Sequence, residues 1–182
     1  MRTIQSEEIT RNIKEMCMEA NYRLAPDMEK AIADGAEREE SPLGREILQS
    51  LGENLTTAWE EQIPICQDTG MAVVFLEIGQ DVHIEGAFLE DAVNEGVRQG
   101  YTEGYLRKSV VRDPIIRENT KDNTPAVIHG KSDVKTQGLT LGLHLKLSGW
   151  SAGEVSGIPS VAVKCVDIRR NTSGEGGLLD CN

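Results

Sequence analysis

Ile63-Pro64-Ile65-Cys66-Gln67-Asp68-Thr69-Gly70 is where the chain changes character. Before it the apolar residues recur at helical spacing, and Pro64 ends that part because proline cannot continue a helix. After it Met71 to Ile78 is short, apolar and rich in β-branched residues, which predicts a buried strand. Between the two, one thiol, one amide, one carboxylate and one hydroxyl stand side by side, with Pro64 stiffening the entry and Gly70 freeing the exit. A loop clamped to a rigid element is where chemistry usually sits.

Working back toward the N-terminus, Ser6 with Glu7 and Glu8 reads as a helix start, capped by a hydroxyl and favoured by first-turn carboxylates. Ile9, Ile13, Met16, Cys17 and Ala20 follow on one face, so Cys17 is expected to be a buried core thiol. Pro26 can open a second helix carrying Met28 and Ile32. Ser41-Pro42 is a cap and a first-turn proline, followed by the longest apolar stripe in the chain: Leu43, Ile47, Leu48, Leu51, Leu55 and Trp59. That stripe is expected to face the core. Glu37 to Glu40 reads as a solvated face or turn.

Working forward, Gly79-Gln80-Asp81 is a turn and Val82-His83-Ile84 a short return strand. Leu89, Ala92, Val93, Gly96, Val97, Gly100 and Tyr101 predict another helix. Its two glycines lower helix stability, which points to close packing against a neighbour. The polar segments around Arg107 and from Asn119 to Pro125 are loops whose Asn and Thr side chains serve either turn chemistry or a site. Ala126 to His129 is a brief strand. Beyond it, Leu139, Leu141, Leu143, Leu145 and Leu147 alternate as in a half-buried strand, and could add an edge strand to a sheet. Val161 to Val166 could form another. The fold class is α+β, with a helical N-terminal half packed on a small mixed sheet.

The chain has 182 residues and a net charge of -11, which argues against wrapping a nucleic-acid backbone. Residues 1–130 hold 25 acidic and 13 basic side chains, and residues 131–182 hold 5 and 6. This shift makes 130/131 a candidate domain boundary. No apolar run reaches the length of a membrane span, and the first twenty residues lack a signal-peptide core, so a cytoplasmic location is expected. The cysteines at 17, 66, 165 and 181 form no C-x-x-C pair and no zinc spacing.

From the residues alone, Cys66 has three readings. It is a nucleophile with His83 or His129 as its base, a metal or cluster ligand beside Gln67 and Asp68, or a small packed residue.

A resemblance adds to this. The pieces Glu19-Ala20-Asn21-Tyr22, Glu39-Glu40-Ser41-Pro42-Leu43-Gly44, Pro64-Ile65-Cys66-Gln67-Asp68-Thr69-Gly70, Tyr105-Leu106-Arg107, and Asn119-Thr120 through Asn123-Thr124-Pro125-Ala126 resemble, in this order, the N-terminal part of class I iron–sulfur fumarate hydratases. The likeness is to the form split into alpha and beta subunits, and the related L-tartrate dehydratase alpha subunits carry a similar block. The resemblance covers residues 1 to about 130. It implies a hydro-lyase that hydrates fumarate reversibly to L-malate at a [4Fe–4S] cluster held by three cysteines. Cys66 would be one cluster ligand, Gln67 and Arg107 would bind the dicarboxylate substrate, and Asp68 would be a catalytic carboxylate beside it. A beta subunit would supply the general base, in a hetero- or homo-oligomer.

After His129 the family's later segments, with the other two cluster cysteines, are not found, and no family motif surrounds Cys165 or Cys181. Residues 131–182 are therefore expected to be a divergent tail, explained by a frame shift near codon 130 or by genuine divergence. Alternative readings are an L-tartrate dehydratase subunit and a non-catalytic module that binds a dicarboxylate or a partner.

Overall fold

The computed structural model describes residues 2–133, 139–146 and 163–168. The order is β1 (Arg2–Gln5), α1 (Ser6–Tyr22), α2 (Pro26–Arg38), α3 (Pro42–Glu61), β2 (Met71–Gly79), β3 (Val82–Glu85), α4 (Leu89–Glu103), β4 (Val127–Asp133), β5 (Leu139–Lys146) and β6 (Val163–Ile168). The class is α+β, as expected.

The strands form two sheets. One is a four-stranded sheet in the order β4-β2-β5-β6. Strand β2 runs parallel to β4 and antiparallel to β5, so the sheet is mixed. The leucine-alternating segment is thus an interior strand, hydrogen-bonded to β2 on one side and β6 on the other, rather than an edge. Leu139 is fully buried in the common core with Val74 and Leu76. The second sheet pairs β1 parallel to β3. The stretch after the Gln80-Asp81 turn therefore does not return along β2. It finds the N-terminal strand, whose four residues show no alternation long enough to announce a strand.

The core is built where α1 crosses α4. Ile9, Ile13 and Cys17 of α1 and Val93, Val97 and Tyr101 of α4 are all fully buried. The crossing is close because α4 offers glycine there. A Cβ at Gly96 would lie 2.6 Å from the Thr10 carbonyl oxygen and 2.7 Å from Ile13 Cβ, and one at Gly100 would lie 2.8 Å from Cys17 Cβ. The glycines read as a packing signal are one. The Tyr22 hydroxyl donates to the Gly104 carbonyl at 3.0 Å and ties the helix ends together.

Two local expectations are corrected. Ser6 is the first residue of α1 and does not cap it; the N-cap is Gln5, without a side-chain bond. The buried Ser6 hydroxyl instead accepts from the Ala87 N–H at 2.9 Å, which fastens α1 to the loop before α4. The α3 stripe is not core. Leu43 is 66% exposed, Ile47 53% and Trp59 45%, and only Ala58 of this helix is buried. Helices α2 and α3 pack chiefly on each other, and no residue of α2 is buried. An apolar arc shows that a helix wants a partner; it does not show that this chain supplies one. The Ser41 cap is as expected, its hydroxyl accepting from the Gly44 N–H at 3.3 Å.

Candidate functional site

The Cys66 loop starts where α3 stops. Gln62 takes a left-handed backbone (φ 53°) and turns the chain out of the helix. The entry is then pinned from two sides. The Ile65 N–H donates to the Asn21 carbonyl at 2.9 Å, and the Asn54 side-chain amide donates to the Ile65 carbonyl at 3.0 Å. Cys66 and Gln67 are exposed beyond this anchor, and Asp68 is half-buried. The Cys66 sulfur accepts from the Asp68 N–H at 3.5 Å, and Asp68 Oδ1 accepts from the Gly70 N–H at 3.2 Å. Gly70 closes the loop with φ 66°, a conformation glycine adopts without steric cost.

The exit of the loop is bolted to a second segment, the stretch after α4 that carries Arg107. Thr69 is buried, and its hydroxyl donates to the Arg107 carbonyl at 3.1 Å. The Tyr101 hydroxyl, wholly inside the core, faces the Thr69 and Gly70 carbonyls at 2.9 and 3.1 Å. Burial pushes its ionisation well above the ordinary phenol range, so it stays a donor. Asn123 is the third member and is fully buried. Its Nδ2 donates to the Gly70 carbonyl at 3.2 Å, while its Oδ1 accepts from the Ser109 and Val110 N–H groups at 2.7 and 3.1 Å. Thr69 and Asn123 thus join the Cys66-Gln67-Asp68 loop to the Arg107 segment and Tyr101 joins it to α4, so that the loop and the exposed arginine sit on one rigid frame. Buried polar groups that are fully paired hold a single geometry.

The Asn and Thr pairs, with turn chemistry and site polarity both open, serve the frame. Asn119 Nδ2 donates to the Lys108 carbonyl at 2.8 Å and the Thr120 hydroxyl donates to that of Val110 at 3.2 Å. Tyr101 was not legible as a site residue. Tyr101 reads as one more apolar position of α4, and its partners are main-chain carbonyls more than thirty residues away. The Ser109 hydroxyl is buried beside this network with no partner among the described residues.

The histidines lie elsewhere. His83 is exposed on β3, and His129 is exposed on β4 with its ring stacked on Phe75 at 5.0 Å. Neither is hydrogen-bonded to Cys66 among the described residues, so neither is poised as a base on that thiol. Cys17 is free and buried, and desolvation pushes its thiol up to about 12. Its side chain is enclosed in the α1–α4 core. Cys165 occupies β6 opposite Gly142, and Cys181 is outside the described residues. Among the described residues, no three His, Cys, Asp or Glu side chains converge as a metal set. One accessible sulfur, supported by a main-chain N–H, suits one corner of a cluster. The described residues do not make up a complete three-cysteine site.

Comparison with known proteins bears on this loop. The model of the fumarate hydratase (Fumerase) family matches residues 10–152, past the charge boundary at 130/131. The chain is 35% identical over 112 residues to a protein of Methanocaldococcus jannaschii described as an L(+)-tartrate dehydratase alpha subunit, covering 61% of this chain and 39% of that one. It is 27% identical over 118 residues to a protein of Geobacillus stearothermophilus described as a class I fumarate hydratase, covering 64% of this chain and 22% of the other. The chain therefore spans well under half the length of these relatives.

Proposed function

We propose, because this chain belongs to the fumarate hydratase (Fumerase) family, that it supplies the substrate-orienting part of a hydro-lyase acting on a small dicarboxylate. The observation that carries the reading is the frame just described, which joins an exposed Cys66-Gln67-Asp68 loop to the segment bearing Arg107. The reaction is the reversible addition of water across the double bond of fumarate to give L-malate. Its demands are to hold two carboxylates, fix the face of attack and move one proton.

The chain's own residues divide that work. The Arg107 guanidinium is a planar fork suited to a carboxylate, and its exposure leaves it open to a ligand. The Gln67 amide donates to a substrate oxygen. The Asp68 carboxylate stands beside the substrate, its oxygen oriented by the Gly70 N–H. Cys66 offers one sulfur to a [4Fe–4S] cluster, which when bound supplies Lewis acidity toward the substrate hydroxyl. The other two sulfurs are not identified, and the proton-transferring base is assigned to a beta subunit. A cytoplasmic, oligomeric setting belongs to the same proposal. So does the division into a family N-terminal domain, residues 1–130, and a tail, residues 131–182, which supplies strands β5 and β6 of the sheet.

A second reading, an L-tartrate dehydratase subunit, is favoured by the more similar of the two relatives. A third, a non-catalytic dicarboxylate- or partner-binding module, is favoured by Cys66 being without a second cysteine beside it among the described residues.

Anaerobic reconstitution with iron and sulfide, together with a beta-type partner, separates these. The expected result is a broad visible absorption that Cys66→Ser abolishes, with turnover of fumarate exceeding that of tartrate. Arg107→Lys should then raise KM about tenfold or more with a smaller change in kcat, because the bidentate contact is lost. Tartrate turnover exceeding that of fumarate selects the second reading. Absence of any cluster in the presence of the partner selects the third.

A further inference from the structure

Residues 105–121 carry five basic side chains and two acidic ones, net +3, which leaves net -14 on the rest of the chain. The segment folds back on itself as one unit. Asn119 Nδ2 donates to the Lys108 carbonyl at 2.8 Å, the Thr120 N–H to that of Val110 at 3.0 Å, and the Arg112 N–H to that of Glu118 at 2.8 Å. An antiparallel bridge pairs Val111 with Asn119. At the far end the Arg117 N–H donates to the Asp113 carbonyl at 2.8 Å. Asp113 Oδ1 accepts from the Ile115 and Ile116 N–H groups, each at 2.8 Å, so this carboxylate is tied into the turn itself.

The base of this hairpin is the site. Arg107 opens it, held to the Cys66 loop through the Thr69 hydroxyl, and Asn123 just past Lys121 holds its first arm to Gly70. Arg107, Arg112, Arg117 and Lys121 are exposed and Lys108 is half-buried. Lys108, Arg112, Arg117 and Lys121 form no ion pair among the described residues. Asp122, the acid next to Lys121, is engaged by Arg98 at 3.2 Å. The arm from residue 108 to residue 113 reaches at most about 20 Å. Charges in water act over about 30 Å in 10 mM salt and about 10 Å in 100 mM salt. At low salt every cation of the hairpin therefore acts on a charge at its base, and at high salt only the nearest do.

We propose that this hairpin is an electrostatic guide, in which Arg112, Arg117 and Lys121 draw a doubly charged dicarboxylate toward Arg107 without touching it. The inference rests on the dicarboxylate reading of the site given above. A dianion is repelled by a chain of net -11 taken as a whole, and Asp68 beside the binding residues adds to that repulsion. A local net +3 on the segment that begins at the binding arginine reverses the sign of the field where the ligand must enter. A surface field of one sign raises the local concentration of an oppositely charged ligand, and the effect grows with the charge on that ligand. The firm backbone of the hairpin keeps the cations from collapsing onto the acidic surface elsewhere.

The reconstituted complex with a beta-type partner tests this, assayed at roughly 10 mM and roughly 200 mM monovalent salt. Arg112→Gln, Arg117→Gln and Lys121→Gln together are expected to raise KM for fumarate about tenfold at low salt, with kcat within about twofold. The wild-type KM should climb by a similar factor with salt, whereas that of the triple variant should hardly move. Arg112→Lys with Arg117→Lys keeps the charge and should keep the wild-type response at both salts, which a forked contact to the ligand would not survive. Equilibrium dialysis with succinate, a dianion with no double bond to hydrate, should show the same shifts in affinity without turnover. A triple variant with wild-type KM and succinate affinity at low salt overturns the proposal and leaves the proposed function standing. So does a variant that binds more weakly but keeps the full salt dependence. A wild type that turns over neither fumarate nor tartrate and retains no succinate removes the proposed function, and the guide with it.

Discussion

Asp122 shows how much one side chain can carry near the site. Burial favours its neutral form. The Thr124 N–H and hydroxyl, the Arg98 guanidinium and the Thr120 hydroxyl outweigh this and hold the carboxyl down at about 2. The bonds to Thr124 are 3.0 and 2.8 Å, and Arg98 Nε donates at 3.2 Å. A carboxyl lower in the folded than in the unfolded chain adds stability above its unfolded value, near 3.8, and loses it as pH falls through 2. Asp122→Asn should therefore cost about 1–2 kcal/mol in urea unfolding at neutral pH, allowing for solvent screening of a side chain 27% exposed, and almost nothing near pH 2. The cysteines differ just as clearly. At about pH 8, iodoacetamide should label Cys66 in the native protein and spare Cys17, whose thiol is buried and held protonated. Peptide mass spectrometry reads the difference.

Among elements, the α1–α4 crossing and the frame around the loop make separate predictions. Gly96→Ala gains helix propensity but drives a methyl into the Thr10 carbonyl and Ile13, so a net loss of about 1–3 kcal/mol is expected by chemical denaturation. Tyr101→Phe keeps the ring and removes the donor to Thr69 and Gly70. It should cost about 1–2 kcal/mol and, more tellingly, speed amide exchange from Asp68 to Met71 several-fold while the α1–α4 core stays protected. Exchange that rises equally everywhere would make Tyr101 a general core residue instead. These elements also show what a sequence reveals. The four helices were legible because their periodicity, their prolines and the glycines at 96 and 100 are local signals. The reach of α3 was not, since an apolar arc looks the same whether a neighbour or solvent covers it. Strand β1 was too short to show a pattern, and the pairing that gives it a place lies eighty residues away. Cys66, Gln67, Asp68 and Arg107 were legible as residues of a block, and Thr69 and Asn123 as polar members of the same pieces, whereas the bracing contacts they and Tyr101 make were not. Their partners are backbone atoms, which carry no residue identity.

At the scale of the whole molecule, the central fact is the position of β2. This strand, residues 71–79, is flanked by β4 at 127–133 and β5 at 139–146, both from later in the chain. The helical hairpin α2–α3 closes on contacts local in sequence and can form early. Strand β2 cannot, because everything that pairs with it is made tens of residues afterward. During synthesis its buried residues Ala72, Val74 and Leu76 wait in water with two open edges. A chain stopped at residue 126 should keep much of its helical circular dichroism, yet bind an apolar dye and aggregate. The nascent protein thus passes through a vulnerable interval, set by the spacing of its strands along the gene, in which β2 has neither of its pairing partners.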